Sequence, residues 1–128
     1  MKEETSNWLE SASYDLETAR HMLDAGRYIY TVFMCHLSIE KSLKAAVVEN
    51  TGTTPPRTHN LGTLLGLSGL SIGADEEEFL LELSNLSVAT RYPEDFHRAM
   101  EDFSKERAEA VYLRSERIVG WIGSCLRK

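Results

Sequence analysis

Proton transfer near neutral pH is the natural work of histidine, and this chain carries four: His21, His36, His59 and His97. A metal centre would need them clustered with other ligands at fixed spacing. His21 and His36 fall on separate helical stretches with no second ligand at metal spacing, so neither a zinc nor a di-iron site is indicated. No pair of Glu-x-x-His motifs marks a carboxylate-bridged metal bundle either. Gly66, Gly69 and Gly73 match neither a Walker loop nor a dinucleotide fingerprint. Metal sites and cofactors are therefore read as none. Glu40 and Lys44 stand four apart in the favourable order on a helix, a pair worth about 0.2–0.5 kcal/mol. Cys35 and Cys125 offer no disulfide framework, which reads as a reducing, cytoplasmic setting.

The elements that must position these groups are helices. Thr5 or Ser6 is the expected cap of a first helix whose apolar residues, Trp8, Ala12, Leu16, Ala19 and Leu23, recur three and four apart. Gly26 ends it. A second helix carries Tyr28, Val32, Cys35, Ile39, Leu43 and Ala46 on one stripe until Gly52, Pro55 and Pro56 break it. Its Cys35 is expected to be buried, and Trp8, Tyr14, Tyr28 and Tyr30 read as core and interface aromatics. A short third helix is expected over His59 to Leu67. A fourth opens at Ala74 or Asp75, buries Phe79, Leu80, Leu83, Leu86 and Val88, and stops near Arg91 because Pro93 disfavours helix at Tyr92. The last runs from about Asp95 or Met100 to Leu126, with Phe103, Ala110, Val111, Ile118, Val119 and Ile122 inward. The fold class that follows is all-α, an up-and-down bundle of four or five helices in one domain over residues 1–128.

Composition agrees. With 42% hydrophobic and 27% charged residues in 128, the chain reads as one globular domain. Its apolar runs are too short to cross a bilayer, and its polar, acidic N-terminus is unlike a signal peptide. The net charge of −6 is concentrated in residues 1–25 and in Asp75, Glu76, Glu77, Glu78 and Glu82. That balance argues against non-specific duplex binding, which depends on neutralising many phosphates. The run Asp75 to Glu78 is a candidate surface for a basic partner, or simply a solvated face.

Trp8-x3-Ala12-x2-Asp15-Leu16-x2-Ala19, Gly26-Arg27-Tyr28 and Phe33-x6-Glu40-Lys41-Ser42-Leu43-Lys44-Ala45 together resemble the HEPN domain. His59-Asn60-Leu61-x2-Leu64 and Arg91-Tyr92-Pro93 continue the resemblance in order, over nearly the whole chain. The style is that of HEPN proteins paired with minimal nucleotidyltransferases. The resemblance implies a homodimer, a minimal nucleotidyltransferase as partner, and RNA or a nucleotide as ligand. It implies one of two uses: a toxin component that is a metal-independent ribonuclease, or a non-catalytic nucleotide-binding or accessory subunit. A purely structural homodimer is a third class.

The resemblance also assigns residues. Arg91-x5-His97 fits the spacing of the family's ribonuclease motif, placing Arg91 and His97 as catalytic residues. The chemistry is sound, since an imidazole can move the 2′-hydroxyl proton or protonate the leaving oxygen, while a guanidinium fork stabilises the phosphate. Each protomer offers one of each, so a two-fold dimer would pair the sites. The alternative has Arg91 paired with a carboxylate and His97 merely exposed. Glu40, Lys41 and Lys44, the most recognisable stretch, and Tyr92 are the candidate binding residues, with structural support as the other reading for the charged three. His59, at the loop-to-helix position, is expected to cap or anchor the third helix.

Overall fold

The computed structural model describes residues 1–88 and 92–127, so Arg91 lies outside the described residues, as do the side chains of Ser87 and Val88. Six helices follow one another, α1 (Glu3–Asp24), α2 (Tyr28–Thr51), α3 (Leu61–Ser68), α4 (Ala74–Val88), α5 (Pro93–Asp102) and α6 (Lys105–Leu126), with no strand among the described residues. The all-helical bundle expected from the apolar periodicity is what forms.

The central helix is α2, with fifteen of its 24 residues buried and packing against every other helix. Small residues let its neighbours come close. On the α1 side, the Ser38 hydroxyl donates to the Ala12 carbonyl at 2.7 Å, both residues being buried. On the α6 side, Cys35 and Ser115 are both fully buried. The main core joins Ile39 and Leu43 of α2 to Leu61 and Leu64 of α3, Leu80 and Leu83 of α4, and Ile118 and Ile122 of α6. Each such aliphatic side chain contributes roughly 1.5–3 kcal/mol by leaving water.

Helix ends follow local chemistry, with three departures from expectation. Gly26 and Gly52 adopt φ of 76° and 69°, left-handed values that end α1 and α2 and that a side chain would strain. Thr5 is not a cap. Its hydroxyl, fully buried, donates to Glu49 at 2.9 Å, so α1 starts earlier, with Glu3 and Glu4 in its first turn. The same Glu49 carboxylate accepts from the Lys2 amide at 3.0 Å, and these bonds hold it below the usual carboxylate range. The third helix starts at Leu61 rather than His59, because the Asn60 side chain accepts from the Thr63 amide at 2.9 Å.

The expected last helix is two. Phe103 turns extended and buries its ring, and Ser104 caps α6 by accepting from the Arg107 amide at 3.1 Å. Ala110, expected inward, is exposed, since Ala108 and Tyr112 fill that turn. Replacing Ser104 by alanine is expected to cost about 1 kcal/mol. Thermal melting should show a fall of ~4 °C.

Cys35 is buried as expected, and burial pushes its thiol up to about 12, with the Ser115 hydroxyl acting more weakly in the opposite sense. The unfolded thiol ionises first, near its ordinary value of 9.0. Above that pH the unfolded state holds fewer protons than the native one, so this group's contribution to stability declines from about pH 9 towards pH 12. A thiol reagent at pH 8 should label half-exposed Cys125 readily and Cys35 only after unfolding. Equal labelling in the native state would contradict this packing.

Candidate active site

Glu40 and Lys44 lie one turn apart on α2, and burial makes their pairing obligatory. Glu40 is 4% exposed and Lys44 is 8% exposed, with Nζ 3.2 Å from Oε2. The Lys44 ammonium also sits 5.5 Å from the centre of the half-buried Trp8 ring of α1. The other carboxylate oxygen, Oε1, lies 2.9 Å from Nδ1 of His59. A carboxylate only accepts, so Nδ1 carries the hydrogen and donates it.

His59 is gripped at its backbone as well. Nε2 of buried His36 is 2.9 Å from the His59 carbonyl, so this ring donates through Nε2. Its Nδ1 stands 3.9 Å from Glu40 Oε1. From α4, Ser84 reaches the same carbonyl at 3.5 Å and accepts from the Leu61 amide at 3.2 Å. Residues 59–61 are thus fixed between α2 and α4. His59 acts as an anchor while Asn60 is the cap. The imidazole body remains largely in water, its side chain 60% exposed against 5% for Glu40.

Lys41 points elsewhere. Its Nζ lies 2.7 Å from Asp15 Oδ2 and 2.8 Å from Ser11 Oγ of α1. Asp15 Oδ2 takes no well-angled hydrogen bond, so the ammonium's charge compensates it. This pair ties α1 to α2 and does not join the Glu40 cluster.

Tyr92 and His97 form a second, open region. Tyr92 is 62% exposed and precedes Pro93, the first residue of α5. His97 lies one turn into α5 and projects into solvent, with Nε2 3.0 Å from Glu101 Oε1 and both side chains more than two-thirds exposed. Glu94 is exposed and Asp95 half-buried beside them. The opposite side of α5 rests on α2, where Phe96 meets Tyr30 at a 6.3 Å centroid separation and a 52° tilt. Arg27, Met100 and Phe103 complete a shallow groove of about 190 Å³ there. Tyr28 of that group is half-buried as expected and Tyr30 is partly exposed, whereas Tyr14 stands 72% exposed on α1.

The candidate residues therefore divide. Glu40 and Lys44 come together, Lys41 serves a different seam, Tyr92 and His97 share an exposed helix start, and Arg91 lies outside the described residues. Among the described residues no three His, Cys, Asp or Glu side chains converge as metal ligands, and no helix is long and apolar enough to cross a membrane. Sequence reasoning missed His36 and Ser84. His36 had a visible signal, its four-residue spacing to Glu40, but Ser84 had none.

The family model for the HEPN domain matches residues 5–125. Two solved structures share the fold. The crystal structure of TT1696 from Thermus thermophilus superposes with a TM-score of 0.81 at 23% identity, covering 96% of this chain and 98% of that one. That of ST0689, an archaeal HEPN homologue, gives 0.74 at 22% identity, covering 98% and 99%. Comparison with curated proteins finds no match.

Proposed function

The chain belongs to the HEPN domain family, and we propose that it is a metal-independent ribonuclease, the toxin component of a cytoplasmic pair completed by a minimal nucleotidyltransferase. The observation that carries this reading is His97. It is an exposed imidazole six positions after Arg91, its side chain 69% exposed beside Glu101. In this role His97 protonates the departing 5′-oxygen while Arg91 stabilises charge on the phosphate. A homodimer would bring two such sets together across its two-fold axis. Asp75, Glu77 and Glu78 at the start of α4 stay exposed and offer a basic partner an electrostatic surface, so the complex should loosen with salt.

The test is growth and RNA integrity. Expressing the chain alone should slow growth and produce fragments ending in 2′,3′-cyclic phosphate, and co-expression with the nucleotidyltransferase should give a co-purifying complex. One observation favours a second reading, a non-catalytic nucleotide-binding or accessory subunit. Glu101 lies 3.0 Å from His97 Nε2, and Glu94 and Asp95 stand in the first turn of the same helix, negative charge that repels a phosphate. Intact RNA and healthy cells would select that reading.

A further inference from the structure

We propose that the open seam between α4 and α6 is where a second copy of this chain docks, the acidic wall of each copy meeting the basic wall of the other. The inference rests on the two-copy reading above and names the surface that pairs. α4 packs on α2 and α3, and α6 packs on α2 and α1, which leaves a groove between them. Beside the start of α4 the groove is a cavity of about 510 Å³ whose lining includes Ile72, Glu76, Arg117 and Trp121. Farther along α4 a second cavity, of about 180 Å³, is lined by Glu82, Leu86, Arg107, Ala110 and Val111 among others. The two helices therefore run antiparallel, and the groove follows α6 for about 21 Å from Arg107 to Trp121. Arg114 spans its middle, reaching Glu76 at 3.4 Å and covering the Phe79 ring at 4.7 Å.

The two walls differ in sign. α4 supplies Glu76 and Glu82, while α6 supplies Arg107, Arg114 and Arg117. Arg114 and Glu76 meet within the chain. Among the described residues, Glu82, Arg107 and Arg117 have no ion-pair partner, and all three are exposed. Apolar surface accompanies these charges on α6, where Leu113 is 45% and Trp121 37% exposed and Ala110 is exposed as well.

That polarity selects the occupant. RNA would bring phosphate against Glu76 and Glu82, and a uniformly basic segment would meet three arginines on α6. A second copy carries both signs, one on each wall. With a two-fold axis running along the groove, α4 of each copy faces α6 of the other at the same height. Glu82 then meets Arg107 of the second copy and Glu76 comes opposite its Arg117, each contact occurring twice. The same axis keeps both copies pointing one way, so Tyr92 and His97 of each lie at the same end of the dimer. Asp75, Glu77 and Glu78, which are not part of the groove lining, stay open to the basic partner proposed above.

The experiment reverses one pair of charges. Glu82→Arg, Arg107→Glu, the double variant and an equimolar mixture of the two single variants are compared with the wild type by sedimentation. The wild-type chain should be a dimer that weakens as salt is added. Either single reversal sets like charges opposite each other twice and should raise the dimer Kd by about tenfold. The double variant and the mixture both restore every opposite-charge contact, so each should dimerise within about threefold of the wild type. Both side chains are exposed, so helicity and melting should stay as in the wild type. Recovery in the mixture is the distinguishing result, because charges paired inside one chain cannot be repaired by another. A monomeric wild type overturns the interface and the two-copy reading together. A dimer indifferent to the single reversals, or one that the mixture fails to restore, overturns this interface alone. The ribonuclease reading survives that result, since RNA cleavage tests it separately.

Discussion

His97→Ala is expected to lower RNA cleavage by about 10²- to 10⁴-fold, the usual contribution of a positioned acid or base. Stability should be untouched. His97 and Glu101 are both more than two-thirds exposed, and an exposed pair at this spacing contributes only about 0.3–0.5 kcal/mol. Removing the imidazole strands no buried group, so helicity and melting should match the wild type. Arg91→Ala should lose about 10²–10³ through missing charge stabilisation. Both variants should also relieve growth inhibition. Single-turnover cleavage of a defined oligonucleotide separates the chemical step from binding. Wild-type rates in both variants would remove Arg91 and His97 from the site.

Glu40→Ala should act on stability first. It leaves the Lys44 ammonium buried without its counter-charge and the His59 Nδ1 hydrogen without its acceptor. Breaking one side of a buried pair typically costs about 3–5 kcal/mol, here a fall of about 10–20 °C in melting temperature. The isolated i, i+4 pair that the sequence displays would cost about a tenth of that, so denaturant midpoints decide between a buried and a solvated pair. Changing Glu40 and Lys44 together to methionine should recover most of the loss, because no uncompensated charge is left behind. A Glu40→Ala protein as stable as the wild type would contradict the buried cluster.

The two predictions fall on parts of the chain that differ in how well sequence displays them. Local patterns were legible. Gly26 and Gly52 mark the ends of α1 and α2, the stripe from Val32 to Ala46 gives the buried face of α2, and Glu40 to Lys44 is visible as a helical pair. What sequence spacing cannot display is a contact between distant segments. His59 meets Glu40 from nineteen positions away, and Ser84 closes on the same loop from α4. The break between α5 and α6 was hidden because Phe103-Ser104 contains neither glycine nor proline. A serine alone, ahead of Lys105 and Glu106, carried the signal as an N-cap. Thr5 misled for the converse reason, since its hydroxyl is spent on Glu49 across the bundle. The HEPN resemblance placed the fold correctly, while for Arg91 it supplied a role with no described geometry beside it.

End-group analysis of RNA incubated with the purified wild-type chain in a chelator separates a HEPN domain that cuts from one that only binds. Cleavage is expected to continue without metal and to leave 2′,3′-cyclic phosphate at one new end and a 5′-hydroxyl at the other, and His97→Ala should abolish both. RNA recovered intact at every protein concentration would contradict the ribonuclease reading and leave a domain that binds without cutting.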